Sequence, residues 1–283
     1  MACLAGALLV LIAPALVAAE SNLAIVDAGV QPSEDAPFAP PDYVFLPGDY
    51  VYFTFNIAGY AVQSDNRDEI RRISLAYAVT PQDANGIPLT QSVSDSIQTD
   101  LNPEDKRWTP KRRVSFLLPS YIAAGDFRIH VAVKDVFGKT EIAKDYLFHI
   151  GGVHVDPCAS VTVQHFAFLR REGDTNALDI PAYSPGDTVF ARFDMAGFKL
   201  GEGNTYDLQY GLSVIQPNGK PFLDAPHAAE LKSNSFYPAQ FLPGVIHINT
   251  PANSAKGQYV LTLTVRDLIS NTKYEAKKSF SIE

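Results

Sequence analysis

A short basic and aromatic stretch is the part of the sequence whose residue types best suit binding chemistry. It gathers five cations and the only tryptophan of the chain, in the order Lys106-Arg107-Trp108-Thr109-Pro110-Lys111-Arg112-Arg113. A guanidinium or ammonium group beside an indole can bind an anionic or sugar-bearing partner by charge and stacking together. We therefore predict a binding loop made by Lys106, Arg107, Trp108, Lys111 and Arg112. The competing interpretation is that Trp108 covers the open edge of its own domain while the cations are solvated.

Four aspartates recur in matched pairs, which is typical of structural rather than catalytic residues. Asp49 and Asp187 each follow a Pro-Gly step, where a carboxylate stabilises the turn through its own backbone. Asp135 and Asp267 each follow a basic residue at the end of a predicted strand. A catalytic pair would normally be unique to one site, and the common nucleophile, zinc, phosphate and dinucleotide motifs do not occur in the sequence. We predict that the chain is not an enzyme, and its rival is a hydrolase with carboxylates dispersed over loops.

Imidazole and thiolate groups near the middle of the chain form the best candidate for a metal site. These ligands suit zinc or copper, and they are His149, His154, Cys158 and His165. Their spacing matches no zinc-finger pattern, however. His149 aligns with Ser281 and His165 aligns with Asp27, both within predicted strands of an internal repeat. We therefore expect neither a metal nor a cofactor.

The chain uses one stretch twice, and the rest of the sequence can be placed relative to its two copies. Residues 47–60 read PGDYVYFTFNIAGY, and residues 185–198 read PGDTVFARFDMAGF. In each copy a Pro-Gly turn leads into a strand with alternating large residues that ends at an Ala-Gly-aromatic step. This repeat predicts an internal duplication in which residues 23–150 superpose on residues 161–282.

A second aromatic stretch, residues 236–244, lies at nearly the same place in its repeat as the basic stretch does in the first. It contains Tyr237 and Phe241 with two prolines but lacks the charge. Aromatic residues on proline-containing loops can bind glycans or partner proteins. We therefore add Tyr237 and Phe241 to the predicted binding residues.

Turn signals and alternation indicate an all-β chain. Asn85-Gly86 and Asn218-Gly219 lie between apolar runs, and this dipeptide is a strong hairpin signal because both residues tolerate a positive φ. Large apolar residues alternate with polar ones over residues 127–133 and again over residues 259–265, as in a strand with one buried face. No alternation of strands with helices is visible. These signals predict tandem antiparallel β-sandwiches.

The end of each repeat resembles the last two strands of bacterial immunoglobulin-like domains. From Gly125 and from Gly257 the chain reads Gly-x-aromatic-x-apolar-x-apolar-x-Val-basic-Asp, followed by a hairpin and a final Phe-x-Ile. Macroglobulin-type and fibronectin III-like sandwiches end similarly. The resemblance implies two immunoglobulin-like sandwiches of about seven strands each. It also implies an extracytoplasmic interaction or spacer role, and it brings no catalytic residues.

Four segments follow from these patterns. Residues 1–19 are uncharged and almost wholly apolar, and Val17-Ala18-Ala19 is an acceptable signal-peptidase site. We predict a signal peptide, with an uncleaved anchor as its alternative. Residues 20–150 then form the first sandwich, residues 151–160 a short linker, and residues 161–283 the second sandwich. Cys3 would leave with the signal, so Cys158 would have no partner for an intrachain disulfide.

The net charge and the apolar runs of the sequence limit the kinds of partner that we expect. The formal net charge of −8 argues against nucleic acid, because phosphate binding favours a basic surface. No second long apolar run occurs, so we expect no membrane span in the mature chain. The predicted function is an exported, periplasmic or extracellular, non-catalytic interaction or spacer module that binds an unknown protein or glycan. The alternative from another class is a periplasmic chaperone or assembly factor that uses an exposed sheet edge.

Overall fold

The computed structural model describes residues 22–64, 70–102, 104–105 and 108–283. The predicted signal peptide lies outside the described residues, and so do Lys106 and Arg107 of the predicted binding loop. Residues 22–150 are called the N-terminal half here, and residues 161–283 the C-terminal half. Within the described residues, no helix has the length and apolar character needed to cross a membrane.

The described part of the N-terminal half contains nine strands. They are β1 (Ala24–Gln31), β2 (Val44–Phe45), β3 (Tyr50–Ala58), β4 (Gln63–Ser64), β5 (Arg71–Gln82), β6 (Val93–Leu101), β7 (Lys111–Leu117), β8 (Gly125–Asp135) and β9 (Thr140–Ile150). The C-terminal half contains eight strands and one 3-10 helix, Glu202–Asn204. Its strands are β10 (Thr162–Leu169), β11 (Ala182–Tyr183), β12 (Thr188–Ala196), β13 (Thr205–Ile215), β14 (Pro221–Asn234), β15 (Phe241–Asn249), β16 (Gly257–Asp267) and β17 (Thr272–Ile282).

Each half folds into a small sheet and a large sheet. The small sheets have the orders β1-β3-β7 and β10-β12-β15. The large sheets have the orders β2-β9-β8-β5-β4, with β6 also paired to β5, and β11-β17-β16-β13-β14. The short strands β2 and β11 pair in parallel, and the other pairs are antiparallel. The predicted all-β, antiparallel fold class is confirmed.

The two Pro-Gly-Asp copies precede strands with the same place in the fold. Both β3 and β12 lie in the middle of a three-stranded sheet, and both pair with the first strand of their half. The register of β1 on β3 shifts after Val26, and that of β10 on β12 shifts after Gln164, which are corresponding points. The internal duplication and the immunoglobulin-like relationship stay predictions that this order supports.

The two sheets of each half pack face to face through the residues that alternate inward. In the N-terminal half, Phe55 of β3 meets Tyr77 of β5 edge-on with ring centroids 5.5 Å apart. In the C-terminal half, Phe193 of β12 meets Tyr210 of β13 in the same way at 5.3 Å. Edge-to-face contacts of this kind stabilise a core beyond the area they bury. The alternation in the sequence therefore does set which face of each strand is buried.

The paired aspartates bind the backbone of their own turns, as predicted. Asp49 accepts a hydrogen bond from the Leu46 amide at 2.8 Å, and Asp187 accepts one from the Ser184 amide at 2.8 Å. Each carboxylate closes the tight turn that leads into the central strand of its small sheet. The same contact in both halves indicates a structural role.

Asp267 fastens a hairpin of the large sheet to the small sheet. Its carboxylate accepts hydrogen bonds from the amides of Lys199, Ile269 and Ser270 and from the Ser270 hydroxyl, at 2.6 to 3.3 Å. Asp135 makes the matching contacts in the N-terminal half, with the amide of Ala61 at 2.6 Å and with the turn after β8. Both carboxylates are buried, so each charge depends on these donors.

Replacing Asp267 by Asn is expected to destabilise the protein in a pH-dependent way. Burial alone would raise the pKa of Asp267, but its hydrogen bonds outweigh burial and hold that pKa below its ordinary value. A lowered carboxyl pKa stabilises the fold above the unfolded pKa near 4, and this stability is lost as the pH falls through the folded value. We expect Asp267→Asn to cost about 1–3 kcal/mol at pH 7. Denaturant unfolding at pH 7 and at pH 3 measures the difference.

The matched control is Asp179→Asn, which removes an exposed carboxylate from a loop of the same half. It should change the free energy of unfolding by less than about 0.5 kcal/mol at either pH. A cost for Asp267→Asn that is as large at pH 3 as at pH 7 would contradict the charge-based explanation.

Candidate functional site

Strands β6 and β7 form the edges of the two sheets on one side of the N-terminal half. The predicted binding loop lies on that side. We call Trp108, strand β7 and the segment Leu118–Tyr121 the β7 margin. The loop between β6 and β7 lies at one end of this margin, and the contact with the C-terminal half lies at the other. There is a pocket at each end of the margin, and strand β7 connects the two pockets.

The loop that leads to Trp108 is held by backbone and side-chain hydrogen bonds. The Asp105 carboxylate accepts bonds from the amide and the side chain of Asn102, both at 3.2 Å. The Asp105 amide donates back to the Asn102 carbonyl at 3.0 Å, and the Trp108 amide donates to the Asp105 carbonyl at 3.3 Å. Trp108 itself remains 39% exposed. The turn therefore presents the indole to solvent in a defined position.

Trp108 forms one wall of a pocket of 330 Å³. Tyr60 is the other aromatic side chain in this pocket, and its hydroxyl donates a hydrogen bond to the Trp108 carbonyl. Burial raises the pKa of Tyr60, so the hydroxyl stays a neutral donor at physiological pH. The remaining lining residues are Ala58, Gly59, Val62, Arg71, Leu101, Asp105 and Thr109. Two aromatic side chains, with the apolar Val62 and Leu101 and the charged Arg71 and Asp105 beside them, can hold a side chain or a small ring.

The cations that follow Trp108 do not share one surface. Lys111 lies on the outer face of β7 and makes no ion pair within the part of the chain that the structure describes. Arg113 bonds to Glu34 at 3.1 Å on that same face. Arg112 points the other way, where it and Asp95 face the Tyr77 hydroxyl. The predicted cluster is therefore split, and Lys111 is the cation in this strand that is left for a partner.

Strand β7 is an edge whose outer backbone groups are open from Arg113 to Leu117, whereas the outward Lys111 carbonyl accepts a hydrogen bond from the Arg112 side chain at 2.9 Å. The Pro110 carbonyl accepts from the Ile57 amide at 3.1 Å, and the Leu118 amide donates to the Asp49 carbonyl at 2.9 Å. Because alternate residues of an antiparallel strand face its neighbour, residues 112, 114 and 116 face β3. The amides and carbonyls of Arg113, Ser115 and Leu117 point away from β3 and have no backbone partner among the described residues.

The corresponding edge of the C-terminal half is blocked at two places. By register, β15 residue Pro243 corresponds to Lys111, and a proline has no amide to offer. Val245 corresponds to Arg113, and its carbonyl accepts a hydrogen bond from the Tyr210 hydroxyl at 2.8 Å. The two halves thus differ at the edge itself, although their strand orders agree.

The aromatic stretch of the C-terminal half buries Tyr237 and Phe241 in the contact between the two halves, which we call the joint. Tyr237 is 4% exposed and packs within the core of the N-terminal half. Its hydroxyl donates to the Asp83 carboxylate at 3.3 Å. Phe241 is buried and meets the Tyr121 ring edge-on at 6.4 Å. Both of these predicted site residues therefore lie at the joint, and Trp108 does not.

Gln240 and Asp83 are joint residues that the sequence interpretation missed. The Gln240 amide donates to the Tyr121 carbonyl at 3.2 Å, and its side chain accepts from the Ala123 amide at 2.6 Å. The Gln240 side-chain nitrogen also donates to the Tyr237 hydroxyl at 3.3 Å. The strand register makes Gln240, rather than an aromatic residue, the counterpart of Trp108. Only that register could have revealed the correspondence.

An apolar groove of 350 Å³ opens where the margin meets the joint. Its floor is buried, and the residues there are Leu89, Leu118, Tyr237 and Ala239. Three large side chains on its rim, Leu117, Tyr121 and Phe236, stay exposed. Exposed apolar side chains gathered around a concavity are typical of an interaction site.

The candidate metal ligands lie in separate contacts. His149 bonds Asp126 at 2.6 Å, and His165 bonds Asp194 at 3.0 Å. Cys158 is an exposed free thiol, and burial followed by the charge of Asp156 raises its pKa. Among the described residues, no group of three or more such ligands is arranged to hold a metal ion.

The sequence matches no protein-family model and no curated protein. Among solved structures, the chain is similar to the C-terminal domain of the Streptococcus agalactiae AgI/II polypeptide BspA, with 11% identity, a TM-score of 0.32, and coverage of 90% of this chain and 99% of that chain. It is similar to the C-terminal domain of the Streptococcus pyogenes antigen I/II-family protein AspA, with 11% identity, a TM-score of 0.31 and coverage of 90% and 98%. A family 123 glycoside hydrolase from Clostridium perfringens shares 13% identity at a TM-score of 0.30, over 44% of this chain and 27% of that chain. Likenesses at these TM-scores carry no conclusion, so fold and function rest on the strands and contacts of the chain itself.

Replacing Tyr237 by Ala is expected to destabilise the protein and to loosen the joint. The change removes a buried aromatic ring from the N-terminal core, which costs about 3–5 kcal/mol. Tyr237→Phe keeps the ring and loses only the hydrogen bond to Asp83, which costs about 1 kcal/mol. Denaturant unfolding measures both values, and small-angle scattering of the Ala variant should show a larger radius of gyration.

Phe236→Ala is the control, because Phe236 is a neighbouring aromatic residue that stays exposed on the groove rim. It should leave both the stability and the scattering curve close to those of the parent. A Tyr237→Ala variant with parental stability and an unchanged radius of gyration would show that the joint does not depend on Tyr237.

Proposed function

We propose that the chain is a non-catalytic interaction module that binds a protein partner along the β7 margin. One observation carries the proposal. The two halves use corresponding loops differently, since the C-terminal loop buries Tyr237 and Phe241 in the joint and the N-terminal loop leaves Trp108 exposed beside an open strand. A surface that is free in one copy and covered in the other is the natural place for a partner.

The use of the carboxylates supports a non-catalytic role. Asp49, Asp135, Asp187 and Asp267 are the repeated carboxylates of the sequence, and each accepts hydrogen bonds from backbone amides. A general acid or base needs a carboxyl group free to exchange a proton with a substrate. These groups instead hold turns in both halves.

The joint supports an interaction module rather than a flexible spacer. We propose two immunoglobulin-like domains, residues 20–150 and 161–283, connected by residues 151–160 after an export signal at residues 1–19. Tyr237, Gln240 and Phe241 all cross from the second domain to the first. Such contacts fix the angle between the domains and hold the margin in one orientation. In this proposal the module acts outside the cytoplasm.

The shape of the margin favours protein over glycan. An apolar groove at one end, an aromatic pocket at the other and an open strand between them match the side chains and backbone of a polypeptide. A sugar ring could occupy the Trp108 pocket, but the strand edge and the groove would then have no role. We therefore propose a protein and not a glycan as the partner.

Site-specific photo-crosslinking tests the proposed margin. A photoreactive amino acid placed at Trp108 and, separately, at Leu117 should capture the same protein from the native cells, because both positions lie on the margin. The captured protein is then identified by mass spectrometry, purified and titrated with the unmodified chain.

The controls carry the same photoreactive group at Leu147 and at Ile180, which are exposed apolar positions away from the margin. Neither control should capture the partner. Equal capture at all four positions, or a captured protein that shows no affinity when purified, would refute the margin as the binding surface.

A further inference from the structure

Resting on the proposed function, we infer how the partner binds: it adds an extended strand antiparallel to β7. One apolar side chain of that strand enters the groove beside Leu117, and a carboxylate further along it meets Lys111. The occupant is thus an extended segment of a partner protein that carries an apolar anchor and an acidic residue.

The backbone of β7 is prepared for such pairing. Its outward amides and carbonyls at Arg113, Ser115 and Leu117 alternate at the spacing that an antiparallel neighbour requires. The strand is seven residues long and spans about 23 Å at roughly 3.3 Å per residue. Main-chain bonds along this length would give affinity, and the pockets at its ends would give specificity.

Two outward backbone groups of β15 are blocked where their counterparts on β7 are open. Proteins usually block exposed edges with prolines, bulges or charges, because an open edge can pair with other chains. The C-terminal half does this with Pro243 and with the Tyr210 hydroxyl on the Val245 carbonyl. At the corresponding places the N-terminal half has the Lys111 amide and an Arg113 carbonyl, and neither has a hydrogen-bond partner among the described residues. The edge that lies between the two pockets is therefore the less blocked of the two.

The two ends of the edge differ in chemistry, which orients the added strand. At the joint end, Leu117 and Phe236 stay exposed over the buried floor of the groove. At the other end, Lys111 has no ion-pair partner among the described residues, whereas Arg113 is bonded to Glu34. A strand antiparallel to β7 therefore has its apolar anchor before its carboxylate in sequence.

Selection from a random nonapeptide library displayed on phage tests this inference with the purified protein. We expect enriched peptides to carry an apolar residue about six positions before an Asp or Glu, which is the separation of Leu117 and Lys111 along the edge. A synthetic peptide of the enriched sequence should bind Ser115→Pro at least tenfold more weakly than the parent. Ser115→Pro removes an outward amide and no bond to β3.

The matched control is His247→Pro, which makes the same change at the corresponding position of β15. It should leave peptide affinity unchanged. As a second measure that needs no protein variant, the peptide is N-methylated opposite Ser115, which should abolish binding. N-methylation one residue further along, where the amide points away from β7, should not.

The outcomes separate this inference from the proposed function. Enriched peptides that bind Ser115→Pro as tightly as the parent, or that tolerate both N-methylations, would overturn strand addition. Absence of any enriched peptide would also overturn it. If the crosslinked partner is nevertheless captured at Trp108 and Leu117, the margin stands as a binding surface and only the strand pairing fails.

Discussion

The insertion of Tyr237 into the core of the N-terminal half is the contact on which the arrangement of the molecule depends. The ring comes from the C-terminal half, yet it is buried among residues of the other half and donates a hydrogen bond to Asp83. Asp83 uses its other carboxylate oxygen to accept from the amides of Asn85 and Ile87, so the same group holds the predicted hairpin turn. A turn and a joint therefore share one buried carboxylate. Burial and the charge of Asp83 raise the pKa of Tyr237, which keeps its hydroxyl a donor.

This contact also explains how two similar halves acquire different surfaces. Once the loop before β15 is used for the joint, Tyr237 and Phe241 are buried and no longer available to a partner. The loop before β7 has no such contact among the described residues and leaves Trp108 half-exposed over its pocket. The joint also builds the apolar groove, because Tyr237 and Ala239 from one half and Leu89 and Leu118 from the other line it together.

The sequence was sufficient to predict the class of the fold and the roles of the repeated aspartates, because both depend on local patterns. Alternation decides which face of a strand is buried, and a carboxylate after Pro-Gly bonds the nearest backbone amides. The site was harder to predict because it depends on register and on contacts between distant segments. The basic stretch and the aromatic stretch lie at nearly the same place in their repeats, but the strand register pairs Trp108 with Gln240 rather than with an aromatic residue. Likewise the run of cations suggested one cluster, whereas alternation along β7 sends Arg112 to the face opposite Lys111 and Arg113.

The cations of β7 have a further consequence for which strands the edge accepts. An open edge risks pairing with the same edge of a second copy, which would lead to aggregation. Two copies of β7 paired antiparallel over their full length would place Lys111 opposite Leu117 and Arg113 opposite Ser115, so Lys111 would meet no opposite charge. An acidic strand would meet the unpaired Lys111 with opposite charge instead. Lys111 therefore favours an acidic partner over a second copy of the chain, which is how a protein can keep an edge open without losing specificity.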